Sequence, residues 1–250
     1  MDTHARPRVA IIGATSPIAR ELAMRFARDG SPIYLAARDE GEATRIARDI
    51  GIRTGSPAFA GLFEAEDYAS HAETLDRATR ELGGLDGIVV CFGTLGDEAA
   101  ARSDPSAAVA IINQNFTAAA SILTLAAERF ESRQSGFMIV IGSVAGDRAR
   151  ARNYVYGSAK GALALFTQGL RARLARSPVH VMTVILCTVD TRMTWGRERT
   201  YLTVSPARAA DAIYNAWRRK AEVVYVPVFW RFIMGGLKML PERVFKRLRF

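Results

Sequence analysis

The chain has 250 residues, 49% of them hydrophobic and 24% charged, which is enough for one well-buried core and short for two. The net charge of +9 raises a nucleic-acid reading, but six cations against one acid fall within residues 229–250. They are interleaved with large apolar side chains rather than set along a polar groove, and no zinc-finger, helix-turn-helix or RNA-binding signature accompanies them.

Two cysteines, Cys91 and Cys187, and three scattered histidines, His4, His71 and His180, supply neither a disulfide framework nor a metal-ligand cluster. The first apolar run, Val9 to Ile12, is too short for a signal-peptide core or a membrane span, so a cytoplasmic, reducing location is expected. That run, from Arg8 to Gly13, predicts a first strand ending in a turn. Ile18 to Ala27 predicts a helix with Ile18, Leu22, Ala23 and Phe26 on its apolar face. Between them lies Gly13-Ala14-Thr15-Ser16-Pro17-Ile18-Ala19. A strand, tight turn and helix in this order present backbone N–H groups and a helix amino terminus to a pyrophosphate, which makes Gly13, Thr15, Ser16, Pro17 and Ile18 candidate nucleotide contacts. Pro17 suits the first helical turn, where its missing N–H matters little.

Ser31 to Arg38 predicts the second strand, and its end bears on which nicotinamide cofactor fits. An acid there would bond the ribose hydroxyls of NAD; this chain has Ala37 followed by Arg38, whose guanidinium suits a 2′-phosphate. NADP(H) is the expected cofactor and NAD(H) the alternative, in which Arg38 stacks on adenine while Asp39 and Glu40 repel a phosphate. Ala58 to Phe63 is the third expected strand. Gly87 to Cys91 is the fourth, with Gly93 and Gly96 in the turn that follows, where small residues let backbone approach a ligand. Phe137 to Ile141, Val179 to Leu186 and Val223 to Val226 are the fifth, sixth and seventh, and Ser205-Pro206 opens a helix before the last. This alternation predicts a single Rossmann-type α/β domain over residues 1–228, a doubly wound parallel sheet of seven strands flanked by helices, followed by a tail over 229–250.

Ser143 stands where the fifth strand delivers it, at the carboxyl end, the ligand-binding edge of an open parallel sheet. Tyr156 and Lys160, four residues apart on a helix expected to open at Tyr156, project from one face. A cation held beside a phenol favours the phenolate and draws a pKa ordinarily ~10 toward neutrality. A Ser, a Tyr thirteen residues on and a Lys four further resemble the catalytic signature of the short-chain dehydrogenase/reductase superfamily, and the likeness extends over residues 7–228.

That resemblance implies hydride exchange between NAD(P)(H) and a carbonyl or secondary alcohol. Tyr156 would then be the acid/base, Ser143 would hydrogen-bond the carbonyl oxygen, and Lys160 would lower the Tyr pKa and hold the nicotinamide ribose. It implies a water behind Lys160 ordered by Asn115, with Asn113 as a competing register, and contacts to the cofactor from Gly93, Tyr156, Lys160, Val189 and Thr191. Homodimers or homotetramers are the implied assemblies. The chain departs from the family pattern at several points. Of TGxxxGxG only Gly13 remains glycine, and the Asp after the third strand is replaced near Gly61. No NNAG precedes Gly93, and Leu186-Cys187 stands for Pro-Gly ahead of the retained Val189-Asp190-Thr191. These departures leave open a non-catalytic NAD(P)-binding regulatory or interaction protein as an alternative.

Residues Arg192 to Leu202, with Trp195 and Tyr201, form either a short substrate lid or core plugs. In the tail, Ile233, Leu237, Leu240, Val244 and Leu248 recur at three- and four-residue spacing between cations, with aromatics at both ends, and its longest uncharged run, Phe232 to Leu237, cannot span a bilayer. Gly235-Gly236 and Pro241 divide it into two short amphipathic pieces. Such a tail either lies on the inner face of an anionic membrane or docks on the sheet or a second subunit. YVYGSAK, GTLGD, SVAGDR and the tail together look like the branch that includes polyprenyl-phosphoryl ribose 2′-keto reductases, which implies a lipid-linked carbonyl substrate as an alternative to a soluble one.

Overall fold

Val9–Ile12 (β1) is buried along its whole length, as a strand must be when helices cover both faces of a parallel sheet. The computed structural model describes residues 6–189 and 203–247. Around β1 it builds Ile33–Ala37 (β2), Ala58–Leu62 (β3), Gly87–Val90 (β4), Gly136–Ser143 (β5), Val179–Leu186 (β6) and Val223–Val226 (β7). All pair in parallel in the order β3-β2-β1-β4-β5-β6-β7. The order reverses between β1 and β4, and the crevice outside the carboxyl ends of those two strands is where such sheets bind ligands.

One face of the sheet carries Pro17–Arg28 (α1), Glu40–Thr54 (α2) and Pro206–Arg218 (α7), with Phe26, Ile50 and Ile213 packed into its core. The other carries His71–Leu82 (α3), the run from Pro105–Ile112 (α4) into Ala118–Ser132 (α5), and Tyr154–Arg173 (α6), over Leu75, Ile122, Phe130 and Leu163. Local chemistry sets several helix ends. Asp39 caps α2 by accepting from Glu42 N, with Gly55 left-handed at its close, and Ser205 caps α7 ahead of Pro206. Between α4 and α5, Asn113–Thr117 forms a π-helical turn, a single-turn bulge of the kind often found at functional sites.

The seven expected strands are all present, with adjusted ends: β2 is shorter than Ser31 to Arg38, and β5 runs two residues past Ile141 to Ser143 itself. The helix bearing Tyr156 opens at Tyr154. The tail forms Trp230–Met239 (α8) and Glu242–Phe245 (α9), broken at Pro241. It docks on the body, with Met234 and Phe245 buried and Trp230 and Leu237 packed near Val144, Ile185 and Tyr225.

Candidate active site

A cleft of about 960 Å³ crosses the carboxyl ends of the central strands, and every expected site residue among the described residues except Asn115 lies on its wall. Thr191 is outside the described residues. At one end Gly13, with φ +89°, turns the chain so closely over β4 that a Cβ there would stand 2.8 Å from Phe92. Thr15, Ser16, Pro17 and Ile18 follow along the wall. Ser16 occupies the cap position of α1 without bonding its N–H groups through the side chain, which leaves the helix terminus to a ligand in the cleft.

Arg38 leaves the end of β2 into the cleft. The acids around it are committed elsewhere: Asp39 Oδ1 accepts from Glu42 N at 2.8 Å, Glu40 pairs with Arg77 at 3.3 Å and Glu42 with Arg45 at 2.7 Å. Among the described residues Arg38 has no carboxylate partner. The expectation that the acid after the third strand is lost near Gly61 needs correction. Gly61 lies inside β3 opposite Ala36, packed on the Tyr34 ring, and Phe63 N still bonds Ala37 O, so the strand delivers Phe63, Glu64 and Ala65 to the cleft. The acid at this edge is Glu64.

At the other end Ser143 Oγ accepts from Ala145 N at 3.1 Å, which leaves its proton for an acceptor in the cleft. Tyr156 and Lys160 face it from α6, the Lys160 Nζ 5.9 Å from the Tyr156 ring centroid. Lys160 is 4% exposed, and among the described residues its ammonium has one long bond, 3.4 Å to Ile141 O. Burial lowers its pKa from 10.5 to about 8, with the Cys91 thiol opposing the shift, so it stays protonated at neutral pH. Asn115, buried in the π turn, donates through Nδ2 to Thr94 O and Ile111 O and accepts from Thr94 N, so its side chain ties the loop after β4 to the helix. Gly93 sits between these groups: a Cβ on it would be 2.4 Å from Asn115 Oδ1 and 3.2 Å from Lys160 Nζ. Asn113, the competing register, instead accepts from Thr117 Oγ1. Val189, buried beside Leu186 and Cys187, lines the cleft near Ser143.

Three supports were not read from the sequence. Gly146, Gly157 and Gly161 let the turn after Ser143 meet α6 backbone to backbone; a Cβ on Gly146 would lie 2.6 Å from Gly161 N, and one on Gly157 2.8 Å from Ala145 O. The small residues of Gly142–Gly146 and YVYGSAKG were the visible signal. Glu98 Oε1 accepts from Tyr156 N at 2.8 Å, pinning the loop after β4 to the first turn of α6. Asp147 and Arg148, next along from Gly146, hold the tail: Tyr225 donates to Asp147, Lys238 pairs with it at 3.0 Å, and Arg148 donates to Leu240 O and Glu242.

Comparison with known proteins places this arrangement. The sequence model described as short chain dehydrogenase matches residues 7–202. The chain belongs to the short-chain dehydrogenase family. This short-chain dehydrogenase is 37% identical to an uncharacterized oxidoreductase of Mycobacterium tuberculosis over 99% of its length and 98% of the relative's. It is 34% identical to one of Streptomyces coelicolor, again over 99% and 98%. Among solved structures, a short-chain dehydrogenase of Burkholderia cenocepacia in complex with NADP superposes with a TM-score of 0.81 at 20% identity, covering 97% of each chain. One of Sphingobium yanoikuyae in complex with NADPH gives 0.79 at 23%, covering 94% and 96%. The family membership makes the chain an oxidoreductase enzyme, and the seven-stranded parallel fold is shared with those neighbours.

Proposed function

We propose that this short-chain dehydrogenase is an NADP(H)-dependent reductase of carbonyls, working reversibly on the corresponding secondary alcohols. The observation that carries the reading is the buried Lys160 ammonium, set beside Tyr156 across the cleft from Ser143 with, among the described residues, a single long bond to Ile141. A buried cation so sparsely bonded calls for further acceptors, and the ribose hydroxyls of a dinucleotide whose pyrophosphate rests on the uncapped end of α1 would supply them. Bound there, the nicotinamide supplies the hydride. Tyr156 donates its proton to the carbonyl oxygen, and the Ser143 hydroxyl donates a hydrogen bond to the same oxygen. Protonated Lys160 stabilises the phenolate that remains. Asn115 has its side chain committed to Thr94 and Ile111, so the backbone of the π turn, rather than the amide, would hold a proton-relay water behind Lys160.

NADP(H) is preferred over NAD(H) because Arg38 is left without a carboxylate partner among the described residues while Asp39, Glu40 and Glu42 are engaged. Two structural neighbours were solved with NADP or NADPH, which supports the same choice. For the substrate we propose a lipid-linked keto sugar, supported by the sequence likeness noted above and by apolar tail residues beside the turn that follows Ser143. The test is turnover of NADPH on a panel of keto lipids and keto sugars with Tyr156→Phe alongside. Loss of a proton donor should lower kcat roughly 10²–10⁴-fold while NADPH still binds. A Phe variant as fast as wild type on a verified substrate would refute the assignment.

A further inference from the structure

Docking leaves α8 and α9 with a second face. Toward the body they turn Met234, Leu237, Trp230 and Phe245, and the clasp from Asp147 and Arg148 neutralises Lys238 and the tail's acid, Glu242. The Arg148 guanidinium also lies 4.4 Å over the Phe245 ring, which fixes the break at Pro241 against the body. Away from the body, Phe232 is 76% exposed and Met239 85%, with Phe229 and Val244 also exposed. Arg231, Arg243, Lys246 and Arg247 are exposed alongside them and have no acid partner among the described residues. A folded chain has little reason to hold large apolar side chains in water unless something covers them. What covers these must tolerate apolar insertion and supply negative charge within the same patch.

We propose that the outer face of α8 and α9 docks on an anionic lipid bilayer, with Phe229, Phe232 and Met239 entering the interface and the four unpaired cations meeting headgroups. A nucleic acid would match the charge but not the protruding apolar groups. A second copy of this face would match the apolar groups but set like charges opposite one another about a twofold axis. A bilayer matches both. Because α8 packs on Val144 and Ile185, one residue from Ser143 and at the end of β6, docking would bring this edge of the cleft to the membrane surface, where an amphiphilic substrate resides. The surface is inferred from the tail alone, and its failure would leave the oxidoreductase reading standing.

The experiment is co-sedimentation of the full chain with vesicles of phosphatidylglycerol and phosphatidylcholine in equal parts, and with phosphatidylcholine alone, at low and high salt. Binding to the anionic vesicles only, released by salt, is expected. At a factor of roughly five for each cation near the surface, Arg243→Gln with Lys246→Gln should weaken partitioning ~30-fold at low salt. Phe232→Ser with Met239→Ser should weaken it to both salt conditions' background, and each double variant should keep the wild-type melting temperature because the altered side chains are exposed. Wild-type protein left in the supernatant with anionic vesicles at low salt overturns the proposal. So does binding that the folded variants retain in full. If the chain instead self-associates as its concentration rises, and Phe232→Ser with Met239→Ser abolishes that while vesicles bind nothing, the face is a contact between copies and the proposal falls.

Discussion

Lys160 is a buried cation that the fold tolerates for the sake of its chemistry, and replacing it with Met, of similar length and no charge, should stabilise the nucleotide-free protein. Its ammonium is harder to keep protonated in the folded chain, at about 8, than in the unfolded one, at 10.5. The unfolded chain therefore binds more protons between those values. The full penalty on folding is present below about pH 8, fades as pH rises and is gone above 10.5. At ~1.4 kcal/mol for each tenfold change in proton affinity, the interval corresponds to about 3 kcal/mol. Losing the long bond to Ile141 O removes at most ~1 kcal/mol of that advantage, so Lys160→Met should gain about 2 kcal/mol at pH 7 while losing turnover. Urea denaturation of both proteins without nucleotide, at pH 7 and near the upper end of the interval, measures it. Burial pushes the Cys91 thiol up while the Lys160 charge draws it down, so in the Met variant Cys91 opposes folding at high pH more strongly, which narrows the gap in the same direction. A Met variant no more stable than wild type at pH 7, or a gap that does not narrow as pH rises, would refute the reasoning.

Gly93→Ala should abolish nucleotide binding, measured by fluorescence titration, and lower stability by ~1–3 kcal/mol, because its Cβ would stand 2.4 Å from Asn115 Oδ1 at a φ of +153°. Arg38→Ala should weaken NADPH roughly 10–100-fold, the weight of a charge-assisted bond, and leave NADH unchanged; equal loss for both cofactors would place Arg38 on the adenine instead. Arg148→Ala should speed hydrogen exchange through residues 230–245 and lower stability by ~1–2 kcal/mol, since it removes the bonds to Leu240 O and Glu242 and the stack on Phe245. Exchange in the tail unchanged from wild type would show that apolar packing alone holds it.

The strands were readable because a parallel strand buried on both faces is a continuous apolar run, and Val9–Ile12 and Val179–Leu186 are such runs. Ser143, Tyr156 and Lys160 were readable because they meet on two consecutive elements whose spacing survives in the sequence. The place of Glu64 was not, because it depends on register: Ala37 pairs with Leu62, which carries the strand end past Gly61. Glu98 escaped notice for a related reason. A carboxylate in a loop bonding the backbone N–H of Tyr156, fifty-eight positions on, leaves no periodic trace. The tail's two pieces followed from Gly235-Gly236 and Pro241, but which side chains turn inward was decided by Asp147 and Arg148, charges whose targets lie some ninety residues away.

The meeting of Gly146 with Gly157 and Gly161 carries a consequence for how this enzyme can change. The separation of Ser143 from Tyr156 and Lys160 is fixed by main-chain atoms in contact, with no rotamer between them to relax or repack. Substitutions in the walls of the cleft can therefore reshape what it admits without moving the reacting groups apart. A single methyl group at this seam would instead displace the whole reaction centre at once, so these three glycines should be as intolerant of substitution as Tyr156 and Lys160 beside them, though none of the three carries a reacting group.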